Sequence, residues 1–581
     1  MSNPPEEPGR PPKLLVANRA EIACRILRAA AERGLPAVAV APADDSACRH
    51  TGLGGTFVEL DGRGPAAYLD IDQLVTVAVE HDCTLVHPGY GFLAENAAFA
   101  AAVEAAGLTF VGPTPDTIAR FGDKAEARAL AGRLGVPVLA GSGILPDADA
   151  AAAFVTEHGA VMLKAVAGGG GRGMRSVTDP ADATAAFERC SSEAAASFGR
   201  GDVYAEQLVA DARHIEVQII GDGTGRVVHL WERECTLQRQ NQKLVELAPA
   251  LRLDSNLRNR IIADAVALAE EVSYRSLGTF EFLVDRGTGA HYFIEANTRI
   301  QVEHTVTEEI TGVDLVRTQL GLALGHSLTT ERLHQSPRPR GYALQLRVNA
   351  ETMQPDGTAK PTGGTLTRFA IPSGRGVRTD THGYTGYTIS PAYDSLLAKV
   401  IVHVAKDDIP VHTRAARALA EFDIAGVATN KAFLQALLAS PEVFRGDVST
   451  RYLTANAEQL VAEAARFEPA AGSSPSNHEA PVVKDSTTHE NAVAAPMQGT
   501  IVAVDVSPGA EVAAGAQLLV MEAMKMEHVI AAPTSGVVTA ITVAVGDLVF
   551  EGHPLLVLAP ADVGAAAADR IDEIDLDHIR P

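Results

Sequence analysis

Residues 494–521, AAPMQGTIVAVDVSPGAEVAAGAQLLVM, and residues 531–558, AAPTSGVVTAITVAVGDLVFEGHPLLVL, align without a gap at an offset of 37. The matches fall on turn and core residues: Pro496 on Pro533, Gly499 on Gly536, Gly509 on Gly546, Gly515 on Gly552, and Leu518, Leu519 and Val520 on Leu555, Leu556 and Val557. Each copy is a set of short apolar runs punctuated by glycine turns, too small to bury its own face. Two copies must therefore close on one another about a pseudo-two-fold, as a flattened all-β barrel.

The copies are joined by EAMKMEHVI, with Lys525 between two methionines. Only ten of the 49 basic residues are lysines, so a lysine kept here points to its primary amine. A turn tip between two repeats is exposed, which opposes a buried structural role. AMKM and the repeat over 494–558 resemble the biotin carboxyl carrier domain, and that resemblance implies Lys525 as the residue a biotin protein ligase acylates. The lipoyl domain has a similar repeat, but its lysine usually stands beside aspartate. Upstream, a linker is expected over 456–493, most marked in the Pro/Ser/Asn/Thr-rich run 466–493. A flexible coil of about 27 residues spans about 28 Å r.m.s., enough for the carrier to visit more than one site.

The remaining chain is too long for one core, and a domain per ~150 residues gives about four in all. A net charge of −23 opposes nucleic acid or anionic membrane as partner. The opening MSNPPEEPGRPP is unlike a secretory signal and no apolar run spans a bilayer, so a cytoplasmic protein with a disordered 1–12 is expected. Five scattered cysteines without a CxxC pair read as core residues, giving neither a disulfide framework nor a zinc site. KLLVANRAEIACRILRAAAERGLPAVAVAP reads as strand, helix, strand, opening a doubly wound α/β domain over 13–122 that lacks GxGxxG. An α+β domain follows over 123–330, and 331–455 alternates short strands with turns before closing in helices, a second α+β lobe. The last stretch, 559–581, is an acidic tail.

Between two strands lies GGGGRG, residues 168–173. A glycine run joining strands suits a hairpin folded over a nucleotide, since its N–H groups can approach phosphates without a Cβ in the way; a merely flexible hairpin is the alternative. In GTFEFLVDRGTGAHYFIEANTRIQVEH, Glu281 and Glu295 are equidistant from Thr288. A hairpin centred there sets them opposite on one face, where they repel unless a cation such as Mg²⁺ lies between, with Asn297 as a further oxygen donor. A register slip or one protonated carboxyl would also relieve the pair. If NTRIQVEH is extended, Arg299, Gln301 and Glu303 share one side, and an arginine beside a carboxylate base suits a small planar oxyanion such as bicarbonate. A solvated strand edge is the other reading.

These stretches, with HPGYGFLAEN (87–96), GDK (122–124), KAVAGGGGRGM, RHIEVQ (213–218), QRQNQK (238–243), RVNAE (347–351) and GVATN (426–430), resemble the biotin carboxylase family of ATP-grasp enzymes in order and spacing. The resemblance implies that Lys124 and Lys164 contact ATP phosphates. It implies that Gly168, Gly169, Gly170, Gly171 and Gly173 close over them, and that Glu206, His214 and Gln238 belong to the nucleotide site. Glu281 and Glu295 would hold Mg²⁺, or Mn²⁺; Lys243, Arg299, Gln301 and Val302 would hold bicarbonate. Glu303 would be the base, and Arg347 the stabiliser of the biotin enolate. The implied chemistry is ATP activation of bicarbonate to carboxyphosphate, then carboxylation of biotin.

Three departures stand out. Ala20 occupies a position usually glycine, a change expected to lose little at a helix start. Gln240 and Asn241 replace Arg and His, which leaves the ATP-side contacts of that loop open. ACRHTGLGGTFVEL matches the family pattern poorly. With only 23 residues after the repeat, a carboxyltransferase is expected as a separate β subunit, as in two-subunit acetyl- or propionyl-CoA carboxylases, and the carboxylase domains are expected to associate as a homo-oligomer. The acceptor stays open between acyl-CoA, urea and pyruvate. Two other classes remain: an ATP-grasp ligase with a lipoyl-like module, and a non-catalytic biotinylated scaffold.

Overall fold

The computed structural model describes residues 11–166, 174–198, 201–405, 409–468, 492–497, 499–523, 526–549 and 552–561. Its first unit is a five-stranded parallel sheet in the order Gly55–Leu60, Ala37–Pro42, Leu14–Val16, Leu85–His87, Thr109–Phe110, with helices in the crossovers. Strand order reverses between Leu14–Val16 and Leu85–His87, so their carboxyl ends open a crevice. There Asn18 Nδ2 donates to the Pro88 and Tyr90 carbonyls at 2.6 and 2.8 Å, tying the two loops together.

Ala20 opens the helix Ala20–Glu32 with φ +56°. The expectation of little loss is therefore corrected: in the left-handed region an L-side chain is strained by about 1 kcal/mol or more, whereas glycine is not. Gln240 and Asn241, at φ +45° and +68°, form an exposed two-residue turn between paired Arg239 and Gln242. Such a turn needs two left-handed residues, and asparagine tolerates that region better than most.

The next unit has a small antiparallel sheet in the order Gly141–Ile144, Val203–Gln207, Val161–Ala165, Met174–Val177. Lys164 pairs with Met174, so a hairpin flanks the glycine run as expected; residues 167–173 themselves lie outside the described residues. The larger sheet has eight antiparallel strands: His291–Asn297, Arg275–Asp285, Ala212–Asp222, Val227–Arg239, Gln242–Ala248, Tyr342–Asn349, Leu396–Val404 and Val377–Thr381. It runs unbroken from the 123–330 stretch into the 331–455 stretch.

Three boundaries are corrected. Residues 456–468 are not linker: the helix Ala457–Ala464 packs Leu460 and Ala464 into the core of the C-terminal lobe. The carrier module begins with the strand Ala492–Ala494 and its last strand, Pro554–Pro560, reaches into the stretch expected as tail.

In the carrier, the strands Gly499–Val504, Glu511–Val512 and Gln517–Ala523 recur at an offset of 37 as Gly536–Ile541, Leu548–Val549 and Pro554–Pro560. Turn glycines repeat as well, Gly509 and Gly546 at φ +91° and +93°, Gly515 and Gly552 at +84° and +82°. The copies interlock, since Glu511–Val512 pairs with the second copy's Gly536–Ile541 and Leu548–Val549 with the first copy's Gly499–Val504. One aliphatic core, including Ile501, Leu519, Val538 and Leu556, fills the space between the two four-stranded sheets. The connecting hairpin pairs as far as Ala523 opposite Met526; Met524 and Lys525 lie outside the described residues. All five cysteines are buried and none is joined in a disulfide, and no described helix is long and apolar enough to cross a membrane.

Candidate active site

The large sheet presents two unlike faces. Ile215, Val217, Ile219, Phe280 and Phe282 point one way and pack on the helix Ser255–Glu271, so the alternate residues point the other way. Those alternates are His214, Glu216, Gln218, Thr279 and Glu281. In register, Glu295, Glu281, Glu216 and Arg233 stand side by side on four adjacent strands. The hairpin thus sets Glu281 opposite Glu295 as expected, by an uneven route. Val284 pairs with His291 and Phe282 with Phe293, so the turn centres one half-residue before Thr288, and an unopposed Ile294 restores the match.

Such a row of buried carboxylates needs cations. Lys243 Nζ lies 2.6 Å from Glu216, 2.9 Å from Glu281 and 2.7 Å from Glu303. Burial works against its charge, but these three carboxylates outweigh burial and hold Lys243 well above the ordinary lysine value. Arg233, fully buried, donates to Glu216, Gln218, Thr307, Thr279 and Gln301, using all five of its N–H groups. Arg347 Nε donates to Glu246 and its terminal nitrogen lies 3.1 Å from Glu303. Burial raises Glu303, yet Lys243, Arg347 and Arg233 outweigh it and hold the carboxyl well below the usual range, ionised at neutral pH. Glu281 is likewise held low, because Lys243 and His214 overcome its burial. Burial pushes Glu246 up, against the pull of Arg347.

The stretch 298–303 is not a strand, correcting that expectation: the strand ends at Asn297, and a bend and turn lead into the helix His304–Thr311. Gln301 and Glu303 do face the Lys243 cluster, Gln301 Nε2 reaching Glu281 at 2.7 Å. Arg299 turns to Glu95 at 2.8 Å and to Asn297 Oδ1 at 3.0 Å. It is linked by hydrogen bonds to the cluster through Asn297, whose Nδ2 donates to Glu281. Val302 lies in the turn itself.

On the nucleotide side, Lys164 pairs with Glu206, which also takes Arg128 at 2.9 Å. Lys124, mostly exposed, lies 3.7 Å from Glu295. Gln238 Nε2 lies 3.2 Å from His214 Nδ1, while His214 Nε2 lies 2.7 Å from Glu281. The donor set suits a hard divalent cation: two carboxylates adjacent in register and an amide two residues on. Glu295 is half-exposed, and among the described residues its ion pair is the long one to Lys124, so its oxygens are open to a ligand; Asn297 would turn its amide to offer oxygen.

Glu216, Arg233, Glu246 and Arg128 escaped the sequence reading. A signal existed for the first: polar 214, 216 and 218 alternate with apolar 215, 217 and 219, the signature of a strand with one functional face.

Family models match four consecutive stretches: biotin carboxylase N-terminal domain at 11–118, carbamoyl-phosphate synthase L chain ATP-binding domain at 123–331, biotin carboxylase C-terminal domain at 345–455, and biotin-requiring enzyme at 491–558. A pyruvate carboxylase of Aspergillus terreus is 46% identical over 449 residues, 76% of this chain and 37% of that protein. The chain thus spans well under half the length of the curated relatives it matches. Among solved structures, the biotin carboxylase domain of a single-chain bacterial carboxylase is 49% identical, covering 79% of this chain and 100% of that one, with a TM-score of 0.71. The biotin carboxylase domain dimer of Hydrogenobacter thermophilus 2-oxoglutarate carboxylase, in complex with MgADP, ADP and bicarbonate, is 41% identical over 77% of this chain and 98% of that one, TM-score 0.71. A single-chain, multi-domain long-chain acyl-CoA carboxylase is 40% identical over 95% of this chain and 51% of that one, TM-score 0.68.

Proposed function

Because the chain belongs to the biotin carboxylase family and continues into a biotinyl module, we propose that it carboxylates biotin mounted on its own Lys525, using bicarbonate and ATP. The observation that carries this is one ammonium, Lys243, bridging three buried carboxylates beside the paired Glu281 and Glu295. Lys124, Lys164 and the 168–173 loop hold the nucleotide phosphates, with Glu206, His214 and Gln238 at the same site. Glu281 and Glu295 with Asn297 would hold Mg²⁺ or Mn²⁺, which when bound would supply positive charge against the transferring phosphoryl group. Lys243, Arg299, Gln301 and Val302 hold bicarbonate, Lys243 exchanging one carboxylate contact for the substrate anion. Glu303, ionised at neutral pH, takes the bicarbonate proton. Arg347, steadied by Glu246, presents its guanidinium to the acceptor. Biotin supplies the ureido nitrogen that receives the carboxyl group.

The test is ATP cleavage by the native chain and by Glu303→Gln, with and without bicarbonate and free biotin. Bicarbonate-dependent turnover that falls about 100-fold or more in the variant is expected. Bicarbonate-independent turnover would favour a different ATP-grasp ligase with a lipoyl-like carrier, and no turnover a scaffold.

The carboxyl group then passes to a carboxyltransferase β subunit, with an acyl-CoA such as acetyl- or propionyl-CoA as acceptor. The acyl-CoA acceptor is supported by the likeness to the single-chain acyl-CoA carboxylase, which covers 95% of this chain, while the pyruvate carboxylase match covers 76%. Pyruvate is the second reading, favoured by the 46% identity to that enzyme. A biotin protein ligase loads Lys525. Association through the carboxylase domains is supported by the dimer seen in the Hydrogenobacter thermophilus structure.

A further inference from the structure

Lys399 interrupts the apolar strand Leu396–Val404 and is fully buried. An ammonium is taken out of water only where partners await it. Its Nζ donates to the Val302 carbonyl at 3.0 Å, lies 3.1 Å from Glu21 Oε2 and stands 3.9 Å from Asp380. Three parts of the molecule meet on this one atom. Glu21 comes from the first turn of the helix Ala20–Glu32, with its other oxygen taken by the Tyr90 hydroxyl; Val302 comes from the turn before the helix His304–Thr311; Asp380 comes from the edge strand and is held by Arg378.

The register gives this contact its direction. Lys399 stands opposite Arg347 on the neighbouring strand, so the two cations share a face. Both reach the same two-residue turn, Lys399 to the carbonyl of Val302 and Arg347 to the carboxylate of Glu303. The Val302 carbonyl and the Glu303 N–H belong to one rigid peptide plane. Holding the carbonyl therefore holds the plane and the Glu303 Cα within it, and leaves only the N–Cα torsion, φ −85° at the head of the helix His304–Thr311, to set where the Glu303 side chain leaves the backbone.

We propose that Lys399 is a positioning residue for bicarbonate activation: it touches no reacting atom, and holds the Val302–Glu303 peptide so that the base and the anion site stay in register. This rests on the role given above to Glu303. The experiment compares the full-length native chain, Lys399→Met, Glu21→Gln and the double variant Lys399→Met/Glu21→Gln. It measures bicarbonate-dependent ATP cleavage, melting temperature and amide exchange over 298–305. Lys399→Met strands a buried carboxylate at Glu21, whereas the double variant removes both charges. If Lys399 positions the turn, kcat/KM for bicarbonate falls about 10- to 100-fold in Lys399→Met while the KM for ATP stays within about twofold. The double variant then regains melting temperature without regaining kcat/KM, and exchange over 298–305 stays fast in it. Return of activity together with melting temperature in the double variant overturns the proposal, as does an equal rise in both KM values. Should Lys399→Met not fold, the double variant against Glu21→Gln gives the same comparison. If the native chain cleaves ATP without regard to bicarbonate, the functional reading falls on its own. Exchange then decides: acceleration over 298–305 upholds the hold on the turn, and native exchange there refutes it.

Discussion

The carboxylase part and the carrier part of this chain are built on opposite principles. On the functional face of the large sheet and in the turn packed against it, Glu216, Arg233, Glu281, Glu303 and Lys399 are all buried, each balanced by opposite charge or hydrogen bonds. Among the described residues of 492–561, no buried side chain is polar or charged. A module that only displays a group needs rigidity, which aliphatic packing and interlocked strands supply. A pocket that moves protons and phosphoryl groups needs charges held away from water, and these are far less forgiving of change.

The comparison is broken most sharply at Lys525. Lys525→Arg is expected to abolish avidin labelling of the chain coexpressed with a biotin ligase, while ATP-dependent carboxylation of free biotin continues. Labelling that persists would move the carrier site elsewhere. Acid separates the parts next. His50, His87 and His382 are buried, and burial lowers them from 6.5 to about 4, 3 and 3. Below pH 6.5 the unfolded chain takes up protons that the folded chain refuses, so stability is lost as pH falls. At pH 5 the loss is about 2 kcal/mol for each histidine, on the order of 6 kcal/mol together. The single tryptophan, Trp231, lies in the carboxylase, so its fluorescence should report melting that drops steeply between pH 6.5 and 5 while calorimetry finds the carrier transition little changed. A flat Trp231 melting profile would contradict this.

Leu519→Ala works from the other side. It should lower the carrier transition by about 2–5 kcal/mol while leaving the Trp231 transition and free-biotin turnover as they were. Movement of both transitions would mean that the two parts stabilise each other. The smallest effect is Ala20→Gly, expected to raise carboxylase stability by about 0.5–1 kcal/mol, because glycine enters the +56° conformation without strain but gives back chain entropy. Denaturant titration followed at Trp231 would measure it.

What could be read in the sequence divides along the same line. The carrier was legible because repetition carries its own alignment: strand for strand and turn for turn, the second copy falls where the first predicts. The pairing of Glu281 with Glu295 was legible by counting, although a displaced turn and a bulge cancelled to make the count right. The 298–303 stretch misled because its alternation of polar and apolar residues also fits a turn whose residues 301 and 303 both point inward. Glu246 and Lys399 were beyond sequence reasoning, since their partners Arg347, Glu21 and Val302 come from distant elements and only the folded sheet brings them together. Ala20 gives no warning in the sequence, because helix propensity says nothing about a residue whose backbone is left-handed.

The unopposed Ile294 has a consequence for which length changes this hairpin can survive. Deleting it would close the bulge and leave Glu295 still across from Glu281, whereas adding a residue beside it would set two extra residues against the Glu281–Phe282 step and strain the match. Residues 286–289, at the outer tip, sit beyond the paired stretch and could lengthen or shorten without disturbing that match. Insertions should therefore be tolerated at the tip and resisted beside Ile294, where a one-residue deletion is the change that keeps the two carboxylates paired.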